Sequence, residues 1–109
     1  MCKALALIPG VREEPDRAEI VEGKSPEEII ERVFGVGAEL RMRMPVGHGR
    51  STVRVIEGKY AWNGYGTPNL LASRELGTKP GMRQLGGPVV VFSPDAPHSA
   101  PEDWLALAQ

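Results

Sequence analysis

The chain has 109 residues, 41% of them apolar and 25% charged, and a formal net charge of −1. Such a composition suits one globular domain with a single hydrophobic core and excludes disorder as the default. It also excludes a global electrostatic pull toward nucleic acid or anionic membrane, and no apolar run approaches the roughly 20 residues of a spanning helix.

The charge is unevenly spread: Glu13 to Glu31 is acidic, whereas Arg32 to Arg54 holds five arginines against one glutamate. The lone cysteine, Cys2, cannot form an internal disulfide, so a reducing, cytoplasmic location is expected. The opening Met1 to Pro9 has too short an apolar core for a signal peptide, and Pro9-Gly10 ends it as a strand.

In chain order, Lys3 to Ile8 reads as a first strand, Val11 to Asp16 as a charged loop, and Arg17 to Val21 as a second strand with one wet face. Ser25-Pro26-Glu27-Glu28 is a helix start: Ser25 accepts at the N-cap, Pro26 fits the first helical position, and Glu28 completes a capping box. Ile29, Ile30, Val33 and Phe34 fall on one face, and Gly35 stops the helix.

Glu39 to Met44 alternates Leu40, Met42 and Met44 against Glu39, Arg41 and Arg43, with the polar set expected outward. Ser51 to Ile56 follows as a strand with Val53 and Val55 inward and Arg54 outward. Glu57-Gly58-Lys59 reads as a hairpin loop into a short strand Tyr60 to Trp62. Thr67-Pro68 repeats the earlier helix start, with a helix to Leu76 and Gly77 as its stop. Val89 to Phe92 lacks alternation and is expected to be a central strand covered on both faces. Ser99 with Glu102 reads as a second capping box opening a tail helix around Trp104, Leu105 and Leu107.

The order β-β-α-β-β-β-α-β-α predicts an α+β fold. The expected architecture is a single domain over residues 1–109, with a mixed or mostly antiparallel sheet of five to six strands. Two helices cover the sheet and a short C-terminal helix follows, with residues 94–109 forming a Pro-rich turn and tail.

Lys3 to Pro9, the strand Ala18 to Glu22, the helix Ser25 to Phe34, Glu57-Gly58-Lys59, Asn69 to Ala72 and Gly87-Pro88-Val89-Val90-Val91 form a series of short motifs. Taken in this order, they resemble the DUF3846 family, small bacterial and phage proteins of unknown function. The resemblance spans roughly residues 3–93 and implies no activity. It leaves out the aromatic stretch Trp62-Asn63-Gly64-Tyr65-Gly66 and the tail with Trp104.

Two constellations stand out as candidate sites. The first is Trp62, Asn63, Gly64, Tyr65, Gly66 and Thr67, where glycines let backbone amides approach an anion ahead of a helix and aromatic faces let a base stack. Arg54 is placed with it as a further anion contact. Its spacing matches neither a P-loop nor a dinucleotide fingerprint, and a turn capped by buried aromatics is the commoner origin of such a stretch.

The second constellation is Arg41, Arg43 and Arg50 beside Arg54, on strands expected to be neighbours, as a surface for phosphate or an acidic partner. An ordinary polar sheet face, neutralised by Glu39 or the acidic helix, is the plainer reading.

No cofactor and no metal are expected, because His48 and His98 lack ligand-type spacing to further donors. Ser93, Asp95, His98 and Ser99 sit in a turn-rich segment where such residues serve as caps more often than as catalysts. The leading expectation is a non-enzymatic binding protein, associated with a phage or mobile element, whose partner is a macromolecule and first of all a protein. The alternative is a nucleotide-like anion held by residues 60–67; a small enzyme and a nucleic-acid binder rank below both, and no membrane partner is expected.

Overall fold

The computed structural model describes residues 1–44, 49–61, 66–76 and 85–109. Five strands form one antiparallel sheet: β1 (Cys2–Ile8), β2 (Arg17–Gly23), β3 (Leu40–Arg43), β4 (Arg54–Gly58) and β5 (Val89–Phe92), in spatial order β2-β1-β5-β4-β3. The helices are α1 (Pro26–Phe34), α2 (Leu70–Leu76) and α3 (Glu102–Leu105), with a closing 3-10 turn over Ala106–Ala108. This is the α+β fold that the element order predicts.

β5 lies at the centre, between β1 and β4, and all four of its residues are buried. Val91 stands opposite both Leu5 and Val55, and Val90 opposite both Ala6 and Ile56. Strand alternation then sorts the core into two layers. Leu5, Leu7, Val55, Val89 and Val91 meet Ala72, Leu76, Trp104 and Leu105 on one face. Ala4, Ala6, Val90 and Phe92 meet Ile29 of α1 on the other. The small Ala4 and Ala6 leave α1 room to approach closely, and Gly23 does the same at the sheet edge. A Cβ on Gly23 would sit 2.8 Å from Ile29 Cγ1.

The start and stop of α1 match the sequence signals. Ser25 Oγ accepts from the Glu28 amide at 3.3 Å, and Gly35, at φ 91°, donates its amide to Glu31 O. The Glu28 carboxylate turns to Arg32 four residues on, at 3.0 Å, instead of closing the capping box.

Several expectations need correction. Tyr60 to Ala61 does not continue as a sixth strand: the chain turns at Lys59–Tyr60 and Ala61 enters a helical turn. Glu57 and Gly58 are not a hairpin loop but the end of β4. Both edges of β4 are already taken, Glu57 opposing Val89 of β5 and Gly58 opposing Leu40 of β3, so no edge is open for a returning strand. Trp62 itself lies outside the described residues, as do His48 and Gly77.

α2 starts later than Thr67. Asn69 is its cap: Asn69 Oδ1 accepts from the Ala72 amide at 3.0 Å, and Asn69 Nδ2 donates to Leu7 O and Gly87 O. Thr67 and Pro68 are drawn into a short bridge with Gly86 and Gly87. Ser99 is not a cap either. Its hydroxyl accepts from the Lys3 amide, and Pro101 takes the cap position of α3.

In β3 the faces do not sort into an inward apolar set and an outward polar one as expected. Met42 is 53% exposed and Met44 48%, whereas the Arg43 side chain is only 26% exposed. The reason is coverage: α1 packs on β2, β1 and β5, and among the described residues no helix packs closely on the apolar side of β3.

Candidate functional site

The site is a groove on the α1 face of the sheet, of about 280 Å³, between the N-terminal half of α1 and the strands β3 and β4. Ile30, Met42, Ile56 and Phe92 form its apolar floor and walls, and Arg54, Glu27 and His98 reach into it. Arg54 is placed by register: it opens β4 opposite Phe92, one step out of phase with Val53 and Val55, so its side chain emerges on the α1 face.

Arg54 differs from the other described arginines except Arg12, which is exposed. Arg17, Arg32, Arg41, Arg43, Arg50 and Arg74 each meet a carboxylate. Arg54 is half-buried, its Nε is fully buried without a hydrogen-bond partner, and it makes no ion pair among the described residues. Glu27 shares the groove without bridging to it. A buried guanidinium N–H with no acceptor costs stability unless a ligand supplies one.

His98 closes the groove from the turn after β5. Its backbone sits at φ 68°, a left-handed conformation rare for a residue with a Cβ. Its amide donates to Asp95 O, its carbonyl accepts from Ser93 N, and its ring Nδ1 lies 3.2 Å from Ser93 O. Ser93 Oγ accepts from the Asp95 amide. These bonds make 93–98 a self-closed turn rather than a nucleophile–base pair.

The expected arginine surface is not assembled. Arg41 and Arg43 share a face with Val55 and Glu57, opposite to the face of Arg54. Both turn to Glu57, with Arg43 Nε 2.6 Å and Arg41 Nη2 3.5 Å from its Oε1. Glu57 is completely buried and was missed by reading it as a loop residue. The signal was present in the period-2 run Val53, Val55, Glu57, beside a strand carrying two arginines on the matching face. Arg50 pairs with Glu75 at 2.7 Å and stacks over the Trp104 ring at 5.2 Å, so it ties α2 to α3.

Trp62, Asn63, Gly64 and Tyr65 lie outside the described residues; Ala61, just before them, is buried in the core on the face opposite Arg54. Ala61 O accepts from the Gly86 amide, and Thr67 O from the Gly87 amide. Gly66 has φ 86°, and a Cβ there would come within 3.3 Å of Gly87 N. Its glycine character therefore serves a close crossing of two chain segments.

Asp16, in the charged segment before β2, bridges elements. Its carboxylate accepts from the Gly10 amide at 2.7 Å and the Leu71 amide at 3.0 Å, tying the β1–β2 connection to the first turn of α2. Burial pushes its carboxyl up, but these backbone bonds outweigh that and hold it below the ordinary value. Burial pushes the Cys2 thiol up, against a bond with Ser99, which leaves it a poor nucleophile at neutral pH.

Among the described residues no three of His, Cys, Asp and Glu gather in a metal-binding group, and no helix is long and apolar enough to cross a membrane. Comparison with family models, curated proteins and solved structures finds no match to this chain.

Proposed function

We propose that this protein is a non-enzymatic binding protein that works by contact with a macromolecular partner, a protein before a nucleic acid. The contact is centred on the Arg54 groove. One observation carries this reading: the half-buried Arg54, its Nε without an acceptor, in a depression with an apolar floor that it shares with Glu27, Ser93 and His98. A partner that supplies a carboxylate there replaces the lost hydration and gains a charge-assisted hydrogen bond. The groove volume of about 280 Å³ lies at the small end of ligand pockets, which run from roughly 300 to 1,000 Å³. That size suits a few inserted side chains better than an entire nucleotide.

A nucleotide-like anion is the second reading, favoured by the convergence of Arg54, His98 and Ser93 on this groove. The cytoplasmic location rests on the solitary cysteine, and the phage or mobile-element link on the family resemblance alone.

The test uses wild type, Arg54→Glu and Arg74→Glu as immobilised baits in lysate of the source cell. Arg74 is the control, being exposed on α2 on the other face. A protein retained by wild type and Arg74→Glu but lost from Arg54→Glu supports the reading. Equal retention by all three baits removes the groove from the function. Melting shifts with a nucleotide panel that vanish in Arg54→Ala, with no protein retained, would turn the assignment to the anion.

A further inference from the structure

α1 packs on three strands of its face and stops, and among the described residues no other helix packs closely on β4 and β3 beside it. The uncovered lane is continuous. The Arg54 groove and a second depression of about 270 Å³, running to Val36 in the α1–β3 turn, share Glu27 and Ile30. Two strands at about 4.8 Å spacing make the lane roughly 10 Å wide, the diameter of one α-helix. β3, at about 3.4 Å per residue, gives a length near 14 Å, which roughly nine helical residues span.

The surface of the lane is unusual for a solvent-facing sheet. Met42 and Met44 are 53% and 48% exposed, and Val36 at its end is 84% exposed. Methionine is the adaptable apolar residue of surfaces that receive another chain. The charges are ordered across the width, with Arg54 on the sheet side and Glu27 and Glu31 on the α1 side.

We infer that this lane seats an amphipathic α-helix of a protein partner, laid beside α1 to complete the helical layer. The helix presents an apolar stripe to Met42, Ile30 and Ile56, an Asp or Glu to Arg54, and a Lys or Arg to Glu27 and Glu31. Helix-in-groove recognition uses this kind of anchor pattern. A second copy of the chain is a poorer fit, because its own lane is concave and two concave lanes do not fill one another. The inference rests on the proposed function but is separable from it.

The experiment places a photo-crosslinking benzoylphenylalanine at position 42, or at position 74 as control, in the full chain. The lysate is irradiated and the crosslinked residue is mapped by mass spectrometry. The expected adduct from position 42 is an apolar residue in a helical segment of a partner, with an Asp or Glu within one turn. Arg54→Glu should lower its yield about tenfold or more, the loss typical of reversing one member of a desolvated charge pair. Changing that partner carboxylate to Lys should restore it. If Arg54→Glu fails to match the wild-type circular dichroism and Tm, Arg54→Gln replaces it, with the same loss expected.

An adduct with a second copy of this chain, or with an extended segment, overturns the inference. So does an adduct from position 74 alone, which would leave macromolecular contact standing while removing the lane. Absence of any adduct from either position overturns both readings.

Discussion

Glu57 and Asp16 show how single carboxylates, each inconspicuous in the sequence, hold distant parts of this molecule together. Glu57 is completely buried between two arginines of β3. Glu57→Ala removes the anion from that cluster and should cost about 3–5 kcal/mol, the usual loss on breaking a buried pair from one side. Arg41→Ala should cost far less, since its side chain is 47% exposed and exposed partners contribute roughly 0–1 kcal/mol. Urea denaturation of the two variants checks the contrast; equal midpoints would mean that the cluster does not hold β3 to β4.

Asp16 carries a pH dependence. Its folded pKa is depressed below the ordinary 3.8 by the Gly10 and Leu71 amides, after burial has pushed the other way. A depressed carboxyl stabilises the fold fully above its unfolded pKa and loses that contribution as the pH falls through the folded value. Wild type should therefore show an acid loss of Tm below about pH 4 that Asp16→Asn partly lacks. Parallel Tm curves between pH 7 and pH 2.5 would refute the assignment.

At the scale of elements, the two Pro-led helix starts look alike in the sequence and behave differently in the fold. Ser25 caps α1 through its own neighbour three residues on, a local bond, and Ser25→Ala should cost about 1 kcal/mol. Thr67 gives its carbonyl to the Gly87 amide and caps nothing, so Thr67→Ala should leave α2 untouched. Asn69 is the residue to change. It caps α2 and also donates to Leu7 O and Gly87 O from a fully buried position. Asn69→Ala loses the cap and strands buried carbonyls, for a combined cost of about 2–4 kcal/mol. Chemical denaturation should rank the losses as Asn69→Ala, then Ser25→Ala, then Thr67→Ala. Any order with Thr67→Ala first would restore the earlier helix start.

Across the whole molecule, β5 is buried on both faces while Met42 of β3 stands in solvent, and the consequences of mutation should follow that contrast. Val91→Asp puts a carboxylate between the two layers, where Val91 opposes Leu5 and Val55, and several kcal/mol of burial cost should unfold the domain. Met42→Gln, on the uncovered lane, should stay within about 0.5 kcal/mol of wild type. Comparable melting temperatures for the two variants would contradict the central placement of β5.

The elements whose causes lie within a few residues are legible along the chain. Ser25-Pro26 and Gly35 bound α1 because a cap and a left-handed stop are local bonds. Val89 to Phe92 declared a central strand because a run with no polar face has nowhere wet to point. Only the tertiary structure decided how faces and partners are shared out. Strand register set Arg54 on one side of the sheet and Arg41, Arg43 and Glu57 on the other. A contact from Asn69 to Leu7, 62 residues apart, moved the start of α2. The extent of α1 left Met42 in solvent, although its pattern matches that of a core residue. Such outcomes depend on which chain segments meet across the fold, and alternation along one strand carries its period but not which side is covered.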